Sequence, residues 1–241
     1  MDDQNASLQM SSEGPAGAAP EDMGPLGRLI GVFINPRRTF ESMRERPRFL
    51  LAAILVLVVQ VAIAGVMVQS GVPRDETIAK MERQGADQAK IEAVEKFFDS
   101  PIAPAITVTT AVFGVAIALL ISAGVLFFMG NLMLGGRIEL RHYLSATAYG
   151  SVVMLVDNVV RIGLILAKHS YDVRLGLGNV FGEDIGFVGR ALDGMTDPLL
   201  LWATAVTALA VSVYARKGFG FGILTVLPGF VIGSILQGFR Q

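Results

Sequence analysis

The sequence predicts an all-α fold, an integral membrane bundle of five transmembrane helices with an amphipathic N-terminal segment. Three observations carry that expectation. Mean hydropathy is positive, at +0.55, and 52 % of the residues are apolar, which is high for a chain that folds in water. The apolar residues gather in runs of about 20 with little or no charge, the length that crosses a hydrocarbon core roughly 30 Å thick. Lys and Arg gather before the first run and in the short links after the second and fourth, whereas the two longer loops carry more acids than bases.

Residues 1–24 are rich in Ser, Gly, Ala and Pro, carry Asp2, Asp3, Glu13, Glu21 and Asp22, and offer almost nothing to bury, so a disordered cytoplasmic tail is expected. A secretory signal would begin basic and turn apolar within a few residues. This tail is acidic and polar, so the first span is expected to stay as an anchor.

Residues 25–48 form the amphipathic juxtamembrane segment. Leu26, Leu29, Ile30 and Phe33 recur at helical spacing. Asn35 before Pro36 is a cap followed by a first-turn proline, so a second short helix should begin there and stop near Pro47. Phe40 and Met43 stand against Arg37, Arg38, Arg44, Arg46 and Arg48, the pattern of a helix lying among the headgroups of an anionic leaflet. The same arginines also fit a cluster that only sets topology.

The membrane domain, 49–241, should contain spans at about 49–69, 102–134, 143–167, 198–215 and 219–239. The second exceeds the bilayer and must tilt, bend near Gly124 or Gly130, or project beyond it. The fifth is glycine-rich, with a kink expected at Pro228. Pro73 to Asp99, between the first two spans, is charged and suits one or two short external helices. Lys168 to Asp197 reads as a glycine-rich loop with a short helix around Phe187 to Leu192. Arginines before Phe49, Arg137 and Arg141 in the second link, and Arg216 and Lys217 in the fourth put the amino end and those links in the cytoplasm and the C-terminus on the opposite side.

Asp157 and Arg161 are the sharpest polar feature, because a charge at mid-bilayer costs several kcal/mol unless paired, hydrated or turned inward. Four residues apart with the acid first, they share a helical face in the favourable orientation, and Asn158 beside them can bond a neighbouring helix. They read either as a site for a headgroup, an ion or a proton, or as a self-neutralised pair that fixes packing. Small residues at four-residue spacing form a second feature: Thr110, Gly114, Ala118 and Ser122 in span two, Thr204, Ala208 and Ser212 in span four, Gly229 and Gly233 in span five. Such stripes let helix backbones approach, within the bundle or across a homo-oligomer interface.

The excluded chemistries are numerous. A chain without cysteine has no disulfide, thiolate nucleophile or cysteine metal site. His142 and His169, the two histidines, have no partner at metal-ligand spacing, so neither metal nor cofactor is expected. Gly220 and Gly222 lack the Lys-Ser or Lys-Thr of a phosphate loop and read as a membrane entry turn. Ser145 and Ser151 have no base at a plausible spacing, so no enzyme is expected. A net charge of −1 gives no reason to expect nucleic acid.

The run from Gly27 to Phe40, with Asn35-Pro36 and Phe40, resembles the entry segment of the bacterial branch of the Yip-domain family, the Ypt/Rab-interacting membrane proteins. Gly135-Gly136-Arg137 leading into Tyr143 to Gly150, then Asp197-Pro198 and Trp202 opening the fourth span, and a short glycine-rich fifth span continue the resemblance over roughly residues 25 to 240. It implies a five-span bundle with a cytoplasmic amino end, here expected in a bacterial inner membrane. Eukaryotic members are non-enzymatic partners in vesicle trafficking that bind prenylated Rab GTPases. The expected function is thus non-enzymatic organisation of, or partnership with, other membrane components, with membrane lipids, a membrane-protein partner or a second copy as ligands. The alternative is a small transporter or lipid-translocating protein built around Asp157 and Arg161.

Overall fold

The structure, a computed structural model, describes residues 23–171, 173–181 and 186–238. The expected tail, apart from residues 23 and 24, and the last residue of the expected fifth span lie outside them.

Two short helices open the chain, α1 (Pro25–Ile34) and α2 (Pro36–Met43), each with proline in its first turn, where a missing N–H costs nothing. Asn35 separates them and caps α2 through Oδ1, which accepts from the Arg38 amide at 3.2 Å. The second helix ends at Met43, earlier than Pro47. The first long helix, α3 (Leu50–Ser70), stops at Gly71, whose φ of 72° lies in the left-handed region that glycine enters without a Cβ clash. Two external helices follow, α4 (Val72–Arg83) and α5 (Gln88–Phe98), as the mixed-charge segment allowed.

The overlong second span divides. Helix α6 (Ala103–Phe127) continues into a π-helical turn, Phe128–Met133, that absorbs its excess length near Gly130. Gly130 is required there because the Tyr143 side chain fills the place a Cβ would take. Asn131 then closes the link: its Nδ2 donates to the Ile138 carbonyl at 2.7 Å and its Oδ1 accepts from the Tyr143 hydroxyl at 3.0 Å.

The longest helix, α7 (Leu140–Lys168), has 29 residues. At 1.5 Å per residue it measures about 43 Å, more than a hydrocarbon core, so its ends project. After a 3₁₀ turn (Leu177–Phe181), α8 (Gly186–Thr196) occupies the region where a short helix was expected. The last two spans are α9 (Pro198–Ala215) and α10 (Phe219–Gly238), the latter with Pro228 inside it. Among the described residues five helices are long and apolar enough to cross a membrane, and the apolar side chains they turn outward, such as Phe113, Leu120 and Ile232, suit lipid as solvent.

Helix α9 is the centre of the bundle, packed between α7 and α10. Glycines make both approaches possible. A Cβ at Gly150 of α7 would collide with Thr207, and one at Gly222 of α10 with the Ala208 carbonyl and the Ser212 hydroxyl. Gly220 and Gly222 therefore belong to the first turns of α10 and not to an entry turn before it. Ser145 and Tyr214 join α7 to α9 by a buried hydrogen bond of 2.8 Å.

The three basic regions converge at one end. Lys217 donates to the Gly135 carbonyl at 3.2 Å and lies 4.3 Å from the Phe221 ring centroid, and Arg216 pairs with Glu45 at 3.0 Å. At that end α2 reverses the expected arrangement. Phe40 and Met43 are buried, with the Phe40 ring edge-on to Tyr149 and Tyr214, so the apolar face assigned to lipid is turned into the core. Helix α1 instead leaves Leu26, Ile30 and Ile34 exposed. His142 serves the same packing: its Nε2 donates to the Arg44 carbonyl at 3.0 Å.

Candidate functional site

At the opposite end, Asp157 and Arg161 pair as their spacing predicts, at 3.3 and 3.2 Å. The structure adds two partners that the spacing did not reveal. Arg161 also donates to Asp197 at 2.5 Å and to the Val173 carbonyl at 3.1 Å. Asp197 is the N-cap of α9, where its Oδ1 accepts from the amides of Leu199 at 2.9 Å and Leu200 at 3.2 Å. The carboxylates are almost wholly buried, whereas the Arg161 side chain keeps 30 % of its surface exposed.

The depth differs from the mid-bilayer position that the sequence suggested. Arg161 lies seven residues before the end of α7, about 10 Å along the helix. Asp197 immediately precedes α9, whose 18 residues extend about 27 Å, just enough to span the core. The cluster therefore sits at a membrane boundary and joins the end of α7, the loop after it and the start of α9. The same loop is pinned to α8, where Asp193 Oδ1 accepts from the amides of Gly176 at 2.9 Å and Gly178 at 3.1 Å. Chemically the arrangement is a clamp, with one guanidinium shared by two acids and a carbonyl.

Asn158 is not part of that clamp. It lines a cavity of about 140 Å³ between α3, α6 and α7, together with Gln60, Ser122, Thr147 and Ser151. Thr147 is 8 % exposed, and its Oγ1 is buried without a hydrogen-bond partner. Thr147, Ser151 and Asn158 fall at helical spacing, so α7 turns one polar stripe towards the cavity.

The three small-residue stripes part company. Ala208 and Ser212 in span four are buried against α10, and Thr204 is half-buried. Gly229 in span five meets Val125 of α6, while Gly233 faces open space. In span two, Thr110, Gly114, Ala118 and Ser122 are all exposed, and a Cβ on Gly114 would meet nothing within 4 Å. Helix α6 is the least covered of the five, with 11 % of its most apolar window buried. Its stripe is exposed along its length, and Ala118 and Ser122 also form one wall of the polar cavity.

Arg37, Arg38, Arg46 and Arg48 are exposed and Arg44 half-buried. Arg37 pairs with Glu41 at 3.0 Å. Arg28, which the sequence offered only as one of the topology-setting arginines before the first span, is 3 % exposed and belongs to the same end. Its signal was its place on the inner side of α1, opposite the exposed Leu26 and Ile30. Among the described residues no group of three metal-ligating side chains comes together.

A family model described as the Yip1 domain matches residues 30–237. No curated protein and no solved structure matches the chain.

Proposed function

This chain belongs to the Yip1 domain family, whose members are generally non-enzymatic membrane trafficking proteins, and from that premise we propose that it is a membrane scaffold holding a partner transmembrane helix on the outer face of α6. The partner helix comes from another membrane protein or from a second copy. The observation that carries the reading is the exposure of the whole Thr110, Gly114, Ala118, Ser122 stripe beside a polar cavity. Lipid tails are as apolar as leucine, so helices associate in a membrane through close backbone approach and interhelical hydrogen bonds. The stripe supplies the first and the hydroxyls and amides of the cavity supply the second.

The setting we propose is a bacterial inner membrane with the basic end in the cytoplasm. The gathering of three Lys/Arg-rich regions at one end supports that orientation. The transporter alternative would need Asp157 or Arg161 to engage a substrate, but the guanidinium is already held by three acceptors. The clamp is better read as fixing the bundle that presents α6.

The test is Gly114→Leu, with complex size measured in native lipid particles. The bulky side chain enters open space in the free bundle, so the fold is expected to persist while the assembly falls to a single chain. An unchanged assembly would remove α6 as the docking face.

A further inference from the structure

The polar cavity between α3, α6 and α7 lies deep in the membrane: Gln60, which lines it, is ten residues from either end of α3, about 15 Å from each. Its polar lining is uncharged, with two carboxamides (Gln60 and Asn158) and three hydroxyls (Ser122, Thr147 and Ser151). No hydrogen bond joins any two of the five, and the buried Thr147 Oγ1 has no partner. Hydrocarbon offers nothing to such groups, and an unsatisfied one is at its most costly there. From this we infer that the cavity receives an Asn or Gln side chain from the partner helix, and that the partner is a membrane protein other than this one. The inference rests on the partner-helix reading and adds what that helix must carry.

Volume, charge and geometry select the carboxamide. At about 140 Å³ the cavity is below the ~300–1,000 Å³ usual for small-molecule sites, so a side chain suits it better than a lipid headgroup. Ala118 and Ser122 belong both to the stripe and to the cavity wall, so a helix seated on the stripe lies at the cavity's edge. A carboxylate or an ammonium would find no countercharge among the lining residues. Serine and threonine are short and bond readily to the carbonyl four residues back on their own helix, as Thr204 and Thr207 do in α9. A carboxamide reaches farther, and brings two N–H donors and an accepting oxygen to a lining that holds both kinds of group. A second copy does not supply it. Of the carboxamides in the five spans only Gln60 and Asn158 lie as far as ten residues from a helix end, and both line their own cavity.

The test places a photoactivatable diazirine analogue of methionine at Met154, which lines the cavity, in the full chain in native membranes, and sequences the crosslinked peptide by mass spectrometry. The expected product is a membrane-spanning segment of a different protein with Asn or Gln in its central third. Asn158→Leu together with Ser151→Ala should lower its yield at least about fivefold, the factor expected of two interhelical hydrogen bonds. Thr147→Val keeps the side-chain shape and loses the hydroxyl, and serves if the paired variant loses its helical circular dichroism; it should lower the yield at least about twofold. Gly114→Leu should abolish the product. Product lost in Gly114→Leu but retained in the cavity variants would overturn the carboxamide site and leave the partner helix standing, whereas product unaffected by Gly114→Leu would remove both. A crosslink to lipid alone, to a second copy, or to a segment without Asn or Gln would also overturn the inference.

Discussion

Replacing Arg161 with glutamine should be the most damaging single polar change in the membrane domain. The substitution removes four hydrogen bonds, two to Asp157 and one each to Asp197 and Val173, and strands two carboxylates that are almost wholly buried. Breaking a buried ion pair from one side ordinarily costs about 3–5 kcal/mol. Arg161 keeps part of its surface exposed, so the expected loss here is about 2–4 kcal/mol. Adding Asp157→Asn removes one stranded charge, while the amides of Leu199 and Leu200 still hold Asp197. The double variant should therefore lie at least about 1 kcal/mol above Arg161→Gln alone, a coupling expected of residues in one network. Unfolding in mixed micelles gives the numbers, followed by the fluorescence of Trp202, the one tryptophan, four residues into α9 from Pro198. A loss below about 1 kcal/mol in Arg161→Gln, or no recovery in the double variant, would refute the clamp.

The same assay separates the glycines. Gly222→Ala drives a Cβ into the Ala208 carbonyl and should cost about 1–3 kcal/mol, whereas Gly114→Ala enters open space and should stay within about 0.5 kcal/mol. Phe40→Ala deletes a ring held between Tyr149 and Tyr214 and should cost about 3–5 kcal/mol or release α2, which faster tryptic cleavage at Arg44 would report. Asn35→Ala removes the cap of α2 and should cost about 1 kcal/mol, with milder acceleration of the same cleavage. Tyr214→Phe deletes the bond to Ser145 and should cost about 0.6 kcal/mol, the mean for hydrogen bonds between membrane helices.

The spans were legible because a bilayer imposes a length on apolar runs, and the Asp157–Arg161 pair because helical spacing alone brings the two together. Asp197 was legible only as the residue before Pro198 at the opening of the fourth span. Its bond to Arg161 crosses 36 residues and depends on how α7 and α9 assemble. The face of α2 was misassigned for a related reason: Phe40 opposite arginines has the same pattern whether it meets lipid or Tyr149. Small-residue stripes show that two helices are able to approach but not whether they do. Hence Ala208 and Ser212 proved internal while Gly114 proved exposed, and Gly150 and Gly222, outside any stripe, make the tightest approaches to α9.

The central claim is that the small-residue face of α6 seats a partner helix, and the absence of native cysteine makes it directly measurable. Single cysteines at Gly114 and Ala118, and at Ala116 and Leu120 on the other side of α6, would be crosslinked with a short bifunctional reagent in native membranes. The account predicts crosslinked product from Gly114 and Ala118, to a second copy or to another membrane protein, and little from Ala116 and Leu120. Equal product from both faces, or none from Gly114 and Ala118, would contradict it.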